Sequence, residues 1–361
     1  MALTLNNNAS GKRMNPRTLR NFIGGSGLIG LISLLAGAVL LLLAGAAPIE
    51  GYVNIIKGAL GSTGKICFVV RTWVPLAICA CGLMYPFRAG LLNIGVEGQM
   101  IWGAVCCTAV LRWGMPWGLP LLTVTLALAA AVAGGALWAM LAGVLKIKGG
   151  VNEIFGGLGL TFVAQGAVLW LIFGPWKRPG VASMSGTEMF PPDLWLPTVL
   201  SSRISPPAIL LTVMLFALTA LLLTRTNLGL YFQAVRSSQQ AAFVLGLKPS
   251  GYFLLALAIS GGCAGLAGAV QVAGVYHCLI PSISGNYGYL ALLVVMLVDH
   301  RIVAAAVVAF LFAGLNVGGI QLPLMMHLDS SLSGVLQGAL VLTALAVYGR
   351  RRKRRGAEWT V

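Results

Sequence analysis

The feature that most constrains this chain is a succession of long apolar segments with almost no charge, of which Leu28 to Ala47 carries none. An uncharged run of about 20 residues, wound as a helix, spans the roughly 30 Å hydrocarbon core of a bilayer. Composition agrees: 58% of the 361 residues are hydrophobic, 9% are charged, and the mean hydropathy is +0.91. Soluble domains charge about a quarter of their residues to cover their surface, so a water-soluble fold is excluded.

About ten such segments follow one another, centred in Leu28 to Ala47, Ile66 to Pro86, Leu91 to Leu111, Leu119 to Leu145, Ile154 to Gly174, Pro206 to Leu223, Phe253 to Val275, Tyr287 to Val298, Ile302 to Leu322 and Leu332 to Tyr348. The expected fold is all-α, a polytopic transmembrane bundle. The first segment follows a polar stretch (Asn6 to Asn21) and shows no clear cleavage site, so it is expected to be a retained span. The eighth is too short for a straight span, and is either tilted or half of a broken helix. Expected organisation is a tail at 1–27, a membrane domain at 28–349 and a basic tail at 350–361.

Lysine and arginine near span ends set orientation. Lys12, Arg13, Arg17 and Arg20 in the first tail, and the run Arg350 to Arg355 in the last, place both termini in the cytoplasm. An even number of spans follows. Arg88, Lys146, Lys148, Arg225, Arg236, Lys248 and Arg301 then join the inner side, against Lys57, Lys65, Arg112, Lys177, Arg178 and Arg203 outside, with Arg71 left within the second span. The net charge of +16 is a topology signal with affinity for anionic membrane lipid. The basic residues are divided among short loops, which argues against nucleic acid as a partner.

Signatures of covalent chemistry are missing. The seven cysteines lie mostly in apolar segments without a CxxC pair, as packing residues do, and no metal site is expected. His277, His300 and His327 are scattered over different loops. Gly64-Lys65 lacks the leading glycine and the Ser/Thr of a phosphate-binding loop, so no catalytic residue or bound cofactor is expected, and any use of ATP falls to a separate chain.

Two connections are long. The 175–205 segment, rich in proline and tryptophan, is expected outside as a lid, ledge or aromatic anchor. The 225–251 segment is expected inside, with Ala234, Val235, Ala241, Ala242, Val244 and Leu245 forming a short amphipathic helix at the membrane face, a handle for a partner.

The polar features within apolar segments point to a pathway. Gly90 to Gln99 sets Asn93, Glu97 and Gln99 among three glycines, a composition that favours local unwinding, and unwound backbone at membrane depth persists only against protein or a water-filled cavity. Glu97 either caps or braces the broken segment, or contacts a solute. Glu153 begins the fifth span near Lys146 and Lys148, either as a helix-terminal acid or as a second pathway acid. In Ser260 to Ala269, Gly261, Gly265 and Gly268 are spaced for close helix packing. A second interruption, Ser282 to Tyr289, contributes Asn286 and Tyr287. Interruptions at corresponding places in two halves, spans two to five and seven to ten, point to inverted-repeat-like halves with a pathway between them.

The string Phe87 to Gln99 resembles the signature of ABC importer permeases for nucleosides and simple sugars, relatives of the branched-chain amino acid and ribose permeases. Val151-Asn152-Glu153, Thr226 to Gly229, Ala234-Val235 with Ala241-Ala242 and Gly246-Leu247, Ser260 to Ala269 and Gly285 to Gly288 resemble further blocks in the same order, over roughly Ile66 to Val347. The resemblance implies a homologous second permease, an ATPase with two nucleotide-binding domains that consumes the ATP, and an extracytoplasmic solute-binding protein. It also implies a bacterial inner membrane location. Its coupling helix falls on Gly229, Ala234, Arg236, Ala241, Ala242 and Gly246, although Arg236-Ser237-Ser238 stands where the family usually has glycine and asparagine. A nucleoside is the first substrate expectation, then a simple sugar or branched-chain amino acid; the rival class is an ion-coupled secondary transporter. Reporter fusions at Trp195 and Ser238 are expected to report the exterior and the cytoplasm respectively, and the reverse pattern would overturn the ten-span topology.

Overall fold

The computed structural model describes residues 34–43, 45–180, 186–199, 204–298, 301–326, 334–335 and 338–339. Among them the fold is an all-α bundle, with α1 Leu34–Leu43, α2 Pro48–Leu60, α3 Thr63–Ala89, α4 Val96–Gly114, α5 Pro120–Gly149 and α6 Glu153–Phe173 in the first half. The second half comprises α7 Pro206–Arg225, the short α8 Asn227–Ser237 and α9 Gln239–Val244, then α10 Pro249–Gln271, α11 Tyr287–Leu297 and α12 Ile302–Met326. Six helices (α3, α5, α6, α7, α10, α12) are long and apolar enough to cross a membrane, or seven if α1 and α2 count as one bent span.

The expectation of about ten spans is therefore not reached among the described residues. α4 corresponds to the third expected span, but it begins at Val96 rather than Leu91 because the preceding residues are unwound. α11 is the short eighth segment. The tenth expected span and both tails lie outside the described residues, apart from isolated positions. α2 is a helix that hydropathy alone did not expect: it turns 109° from α1 and packs by Gly58 and Ile55 against Gly318 of α12.

The core is organised by α10. Three of its glycines press on neighbouring backbone: a Cβ on Gly261 would lie 2.3 Å from the Gly135 carbonyl of α5, on Gly265 2.0 Å from that of Ala131, and on Gly268 2.2 Å from that of Met100 in α4. Gly103 of α4 returns the contact on Gly265, and Gly82 of α3 lies on Ser260 and Cys263. Lipid supplies no hydrophobic drive between helices, so such backbone approach, with its dispersion gain, is the means of association. Trp102 and Trp138 stack at 4.2 Å to fasten α4 on α5.

Changing Gly265 to Val places methyl groups where the Ala131 carbonyl stands, and overpacking of this kind costs about 1–3 kcal/mol or more. Gly159, with nothing within 4 Å, is the control. Size-exclusion profiles of fluorescent fusions are expected to show loss of monodisperse protein for Gly265→Val and none for Gly159→Ala.

Candidate functional site

The first interruption begins where α3 ends. Gly90 adopts a left-handed conformation (φ +84°), and the N–H groups of Gly90 and Leu91 return to the carbonyls of Phe87 and Pro86, closing the helix as glycine does at a C-terminal cap. Leu91 to Gly95 then runs unwound until Val96 starts α4. α6 crosses this break glycine on glycine, with a Cβ at Gly157 only 2.7 Å from the Gly95 nitrogen.

Asn93 and Gln99 form a reciprocal amide pair across the break. Asn93 Nδ2 donates to Gln99 Oε1 at 2.9 Å, and Gln99 Nε2 donates to Asn93 Oδ1 at 2.8 Å. The second Asn93 hydrogen reaches Ser260 Oγ of α10 at 2.9 Å. All three side chains are buried. The stretch containing Ser260 was expected to supply only packing, so its hydroxyl is a participant that sequence spacing did not reveal. Joined by three buried side-chain hydrogen bonds, this clasp fixes the unwound backbone to the central helix.

Glu97 lies in the first turn of α4, 3% exposed, and its carboxylate is directed at the start of another helix. The Gly288 N–H of α11 donates to Oε2 at 2.8 Å, while the Ser284 hydroxyl and the N–H groups of Asn286 and Tyr289 also face the carboxylate. The first N–H groups of a helix have no partner within it and carry the positive end of its dipole, so a buried anion is suited to this position. Gly288 is required by the approach, since a Cβ there would sit 2.6 Å from Oε2. The two interrupted helices thus meet start to start through one carboxylate.

The second interruption is longer than its sequence block indicated. α10 passes into a single π turn at Val272–Tyr276, His277 is left-handed (φ +57°), and the chain stays irregular until Asn286, also left-handed (φ +60°), precedes α11. Asn286 is exposed, and Tyr287 pairs with Thr72 and Gln271. The 186–199 part of the long 175–205 connection lies on this break as a ledge. Thr187 and Leu279 exchange hydrogen bonds, the N–H groups of Phe190 and Leu196 donate to the carbonyls of His277 and Ala273, and Trp195 stacks on the His277 ring at 3.8 Å.

Glu153 is not brought into this cluster. It pairs with Lys146 at 2.8 Å, and Asn152 caps α6 by accepting from the Ile154 N–H.

The expected amphipathic helix at Tyr231 to Leu247 is instead two helices, α8 and α9, divided at Ser238, whose hydroxyl caps α9. Gly229 presses on the Leu223 carbonyl, Ala234 is half-buried, and Arg236 Nη1 donates to the Phe87 carbonyl at 3.4 Å. Phe232, Val235 and Ala242 face inward, whereas Ala241, Phe243, Val244, Leu245 and Gly246 face out. Phe243, Val244 and Leu245 thus form an exposed apolar surface. Among the described residues no group of three or more His, Cys, Asp or Glu is placed to hold a metal.

Unwound backbone inside a multi-span helical bundle, braced by buried polar side chains, is the kind of arrangement that lines or supports a polar path through a membrane. Residues 66–345 match the family described as branched-chain amino acid transport system / permease component, and the chain belongs to that family; it is a permease subunit of an ABC importer, a multi-pass membrane protein. It is 28% identical over 339 residues to the glucose ABC transporter permease protein TsgB13 of Haloferax volcanii, covering 90% of this chain and 88% of that one. It is 24% identical over 339 residues to the guanosine ABC transporter permease protein NupP of Bacillus subtilis, covering 91% and 96%. A second guanosine permease protein of the same organism, NupQ, is 27% identical over 301 residues, covering 76% and 88%. Similarity to two such permeases of one organism accords with a subunit that works beside a second permease.

Replacing Glu97 by Ala leaves several donors at the start of α11 without an acceptor, at about 1–3 kcal/mol for each group stranded in the interior. Glu97→Gln retains one acceptor oxygen and loses the charge that complements the helix terminus, a smaller change of up to about 2 kcal/mol. Thermal unfolding in detergent is expected to rank wild type above Gln above Ala, and an unshifted Tm for Glu97→Ala would remove the cap from the account.

Proposed function

We propose that this chain and a homologous second permease together form the translocation pathway of an importer for nucleosides in a bacterial inner membrane, with both termini cytoplasmic. The observation that carries this reading is the membership of residues 66–345 in the permease family, joined to the guanosine specificity named for two of the relatives. A simple sugar is the second reading, favoured by the glucose permease of Haloferax volcanii.

Asn93, Glu97, Gln99, Asn286 and Tyr287 cluster at the two interruptions and would line or brace the pathway, whereas Glu153 lies at the α5–α6 turn, where it fixes the span ends. The family resemblance supports an ATPase with two nucleotide-binding domains docking on α8 and α9, where Phe243, Val244 and Leu245 present an exposed apolar surface beside the cap at Ser238. ATP is bound and hydrolysed there, by a separate chain. The Arg236 contact with the Phe87 carbonyl ties α8 to the end of α3, so a displacement of α8 would reach Gly90 and the Asn93 clasp. A solute-binding protein would deliver its ligand at the opposite face, beside the 186–199 ledge. An ion-coupled mechanism is disfavoured by the relatives, which are named as ABC transporter permeases.

Uptake of radiolabelled guanosine, glucose and leucine by proteoliposomes holding both permeases, the ATPase and the binding protein tests the reading. ATP-dependent accumulation of guanosine that survives an uncoupler is expected; uptake abolished by the uncoupler with ATP maintained would favour the ion-coupled class. In the same system Ala241→Glu or Gly246→Asp is expected to abolish uptake and ATPase co-purification while the permease still inserts.

A further inference from the structure

Of the membrane-long helices, α6 and α7 are the least covered by the rest of the subunit: 28% and 22% of their apolar stretches are buried. Their outward surfaces differ in kind. α7 exposes Leu210, Val213, Leu218 and Leu221 and no glycine or amide, a surface that lipid tails cover without cost. α6 exposes Gly159 and Gly166 between the rings of Phe155, Phe162 and Phe173, which places all five along one side of the helix. A Cβ on either glycine would meet nothing within 4 Å. Glycine inside a helix forfeits stability, and spans keep it where a neighbouring helix comes close, as α10 does within this subunit.

An amide on the same helix is an independent observation. Gln165 lies well inside the span Glu153–Phe173, about 18 Å from its first residue and about 12 Å from its last at 1.5 Å per residue. It is exposed, and among the described residues it makes no hydrogen bond. The exposed hydroxyls of Thr125 on α5 and Thr224 on α7, by contrast, donate to carbonyls of their own helices. An amide both donates and accepts, and lipid tails answer neither need, so an amide at this depth belongs against another helix. What covers α6 has to offer polar partners at Gln165 and side chains that fit beside glycine. A second membrane protein meets both demands, and lipid meets neither.

We propose that the outer face of α6 is the surface on which the homologous second permease docks, with Gln165 hydrogen-bonded across the interface and Gly159 and Gly166 admitting the partner's side chains between the phenylalanine rings. The proposal rests on the importer reading above and names the surface through which its two permeases meet. The inner side of α6 gives the choice of partner its reason. Gly157 lies on Gly95, a Cβ on Gly98 would lie 2.7 Å from the Thr161 Cα, and the side chain of Tyr289 in α11 pairs with Thr161. A permease docked on α6 therefore stands one helix away from the joint made by Glu97, where a pathway shared by two permeases would run.

The test uses the assembled complex in membranes, with the two permeases carrying different affinity tags. A photo-crosslinking phenylalanine analogue in place of Phe162 is expected to join this chain to the second permease, and the same analogue in place of Val213 on α7 to give no such adduct. No adduct from position 162, or one formed only within this chain, overturns the proposal; an adduct between two copies of this chain overturns the choice of partner. Gly166→Phe meets no neighbour within the subunit and Gln165→Leu breaks no hydrogen bond there, so both are expected to leave the size-exclusion profile of the isolated chain unchanged. Recovery of the second permease through this chain's tag is expected to fall about fivefold for Gln165→Leu, the weight of one interhelical hydrogen bond in a bilayer, and further for Gly166→Phe. Full recovery with both variants overturns the interface. Full recovery with a raised KM for guanosine in Gln165→Leu places that amide on the pathway instead and overturns its role between subunits. A complex that forms the 162 adduct but imports neither guanosine nor glucose overturns the substrate reading and supports the interface.

Discussion

The bundle depends on one buried carboxylate. Helices that stop inside an apolar medium leave N–H groups that lipid cannot satisfy, and two helices starting near each other compound the problem because their positive dipole ends repel. Glu97 answers both demands: it belongs to the first turn of α4 and receives hydrogen bonds from the start of α11. Gly288 permits the approach, and the Asn93–Gln99–Ser260 clasp anchors the same break to the central helix. An irregular segment becomes a defined joint rather than a frayed one.

Around that joint the helices are fitted by absence of side chains. The glycines of α10, α4 and α5 bring backbones into contact, so α10 is held on three sides by α3, α4 and α5. Such contacts permit little lateral adjustment, since a methyl group at Gly261 or Gly265 has no space. Motion is then expected at the breaks, at the π turn and at the junction of α8 with α3, where the chain departs from regular helix or polar contacts join the parts. An importer needs this division, with rigid bodies joined by a few hydrogen-bonded hinges.

Much of the candidate site was legible as composition. An acid and two amides among glycines in an apolar segment have few physical explanations: Gly90 caps α3, Asn93 lies in the break that this pattern indicates, and Glu97 and Gln99 lie in the first turn of α4 that follows it. What the pattern left open was the role of each. Glu97 as a cap on α11 depends on Gly288, Ser284 and Tyr289, distant in the chain, and no local periodicity connects them. In the sequence Glu153 stands between a helix-terminal acid beside Lys146 and Lys148 and a second pathway acid, because span ends and pathways look alike in one dimension; its pairing with Lys146 depends on how the α5–α6 turn folds.

The sequence by itself determined that the chain lies in a membrane as an all-α bundle, that two segments are interrupted, and that Gly261, Gly265 and Gly268 pack closely, because hydropathy, the conformational freedom of glycine and small-residue spacing are local properties. Tertiary structure alone decided where the helices α1 and α2 bend apart, that the segment after α7 is two helices with Val244 and Leu245 outward, and that Ser260 joins an amide clasp. Each of these is a relation between residues far apart in sequence. Such relations are fixed by which donors and acceptors the packed helices bring within reach, and an apolar medium enforces them because it offers an unpaired group no alternative partner.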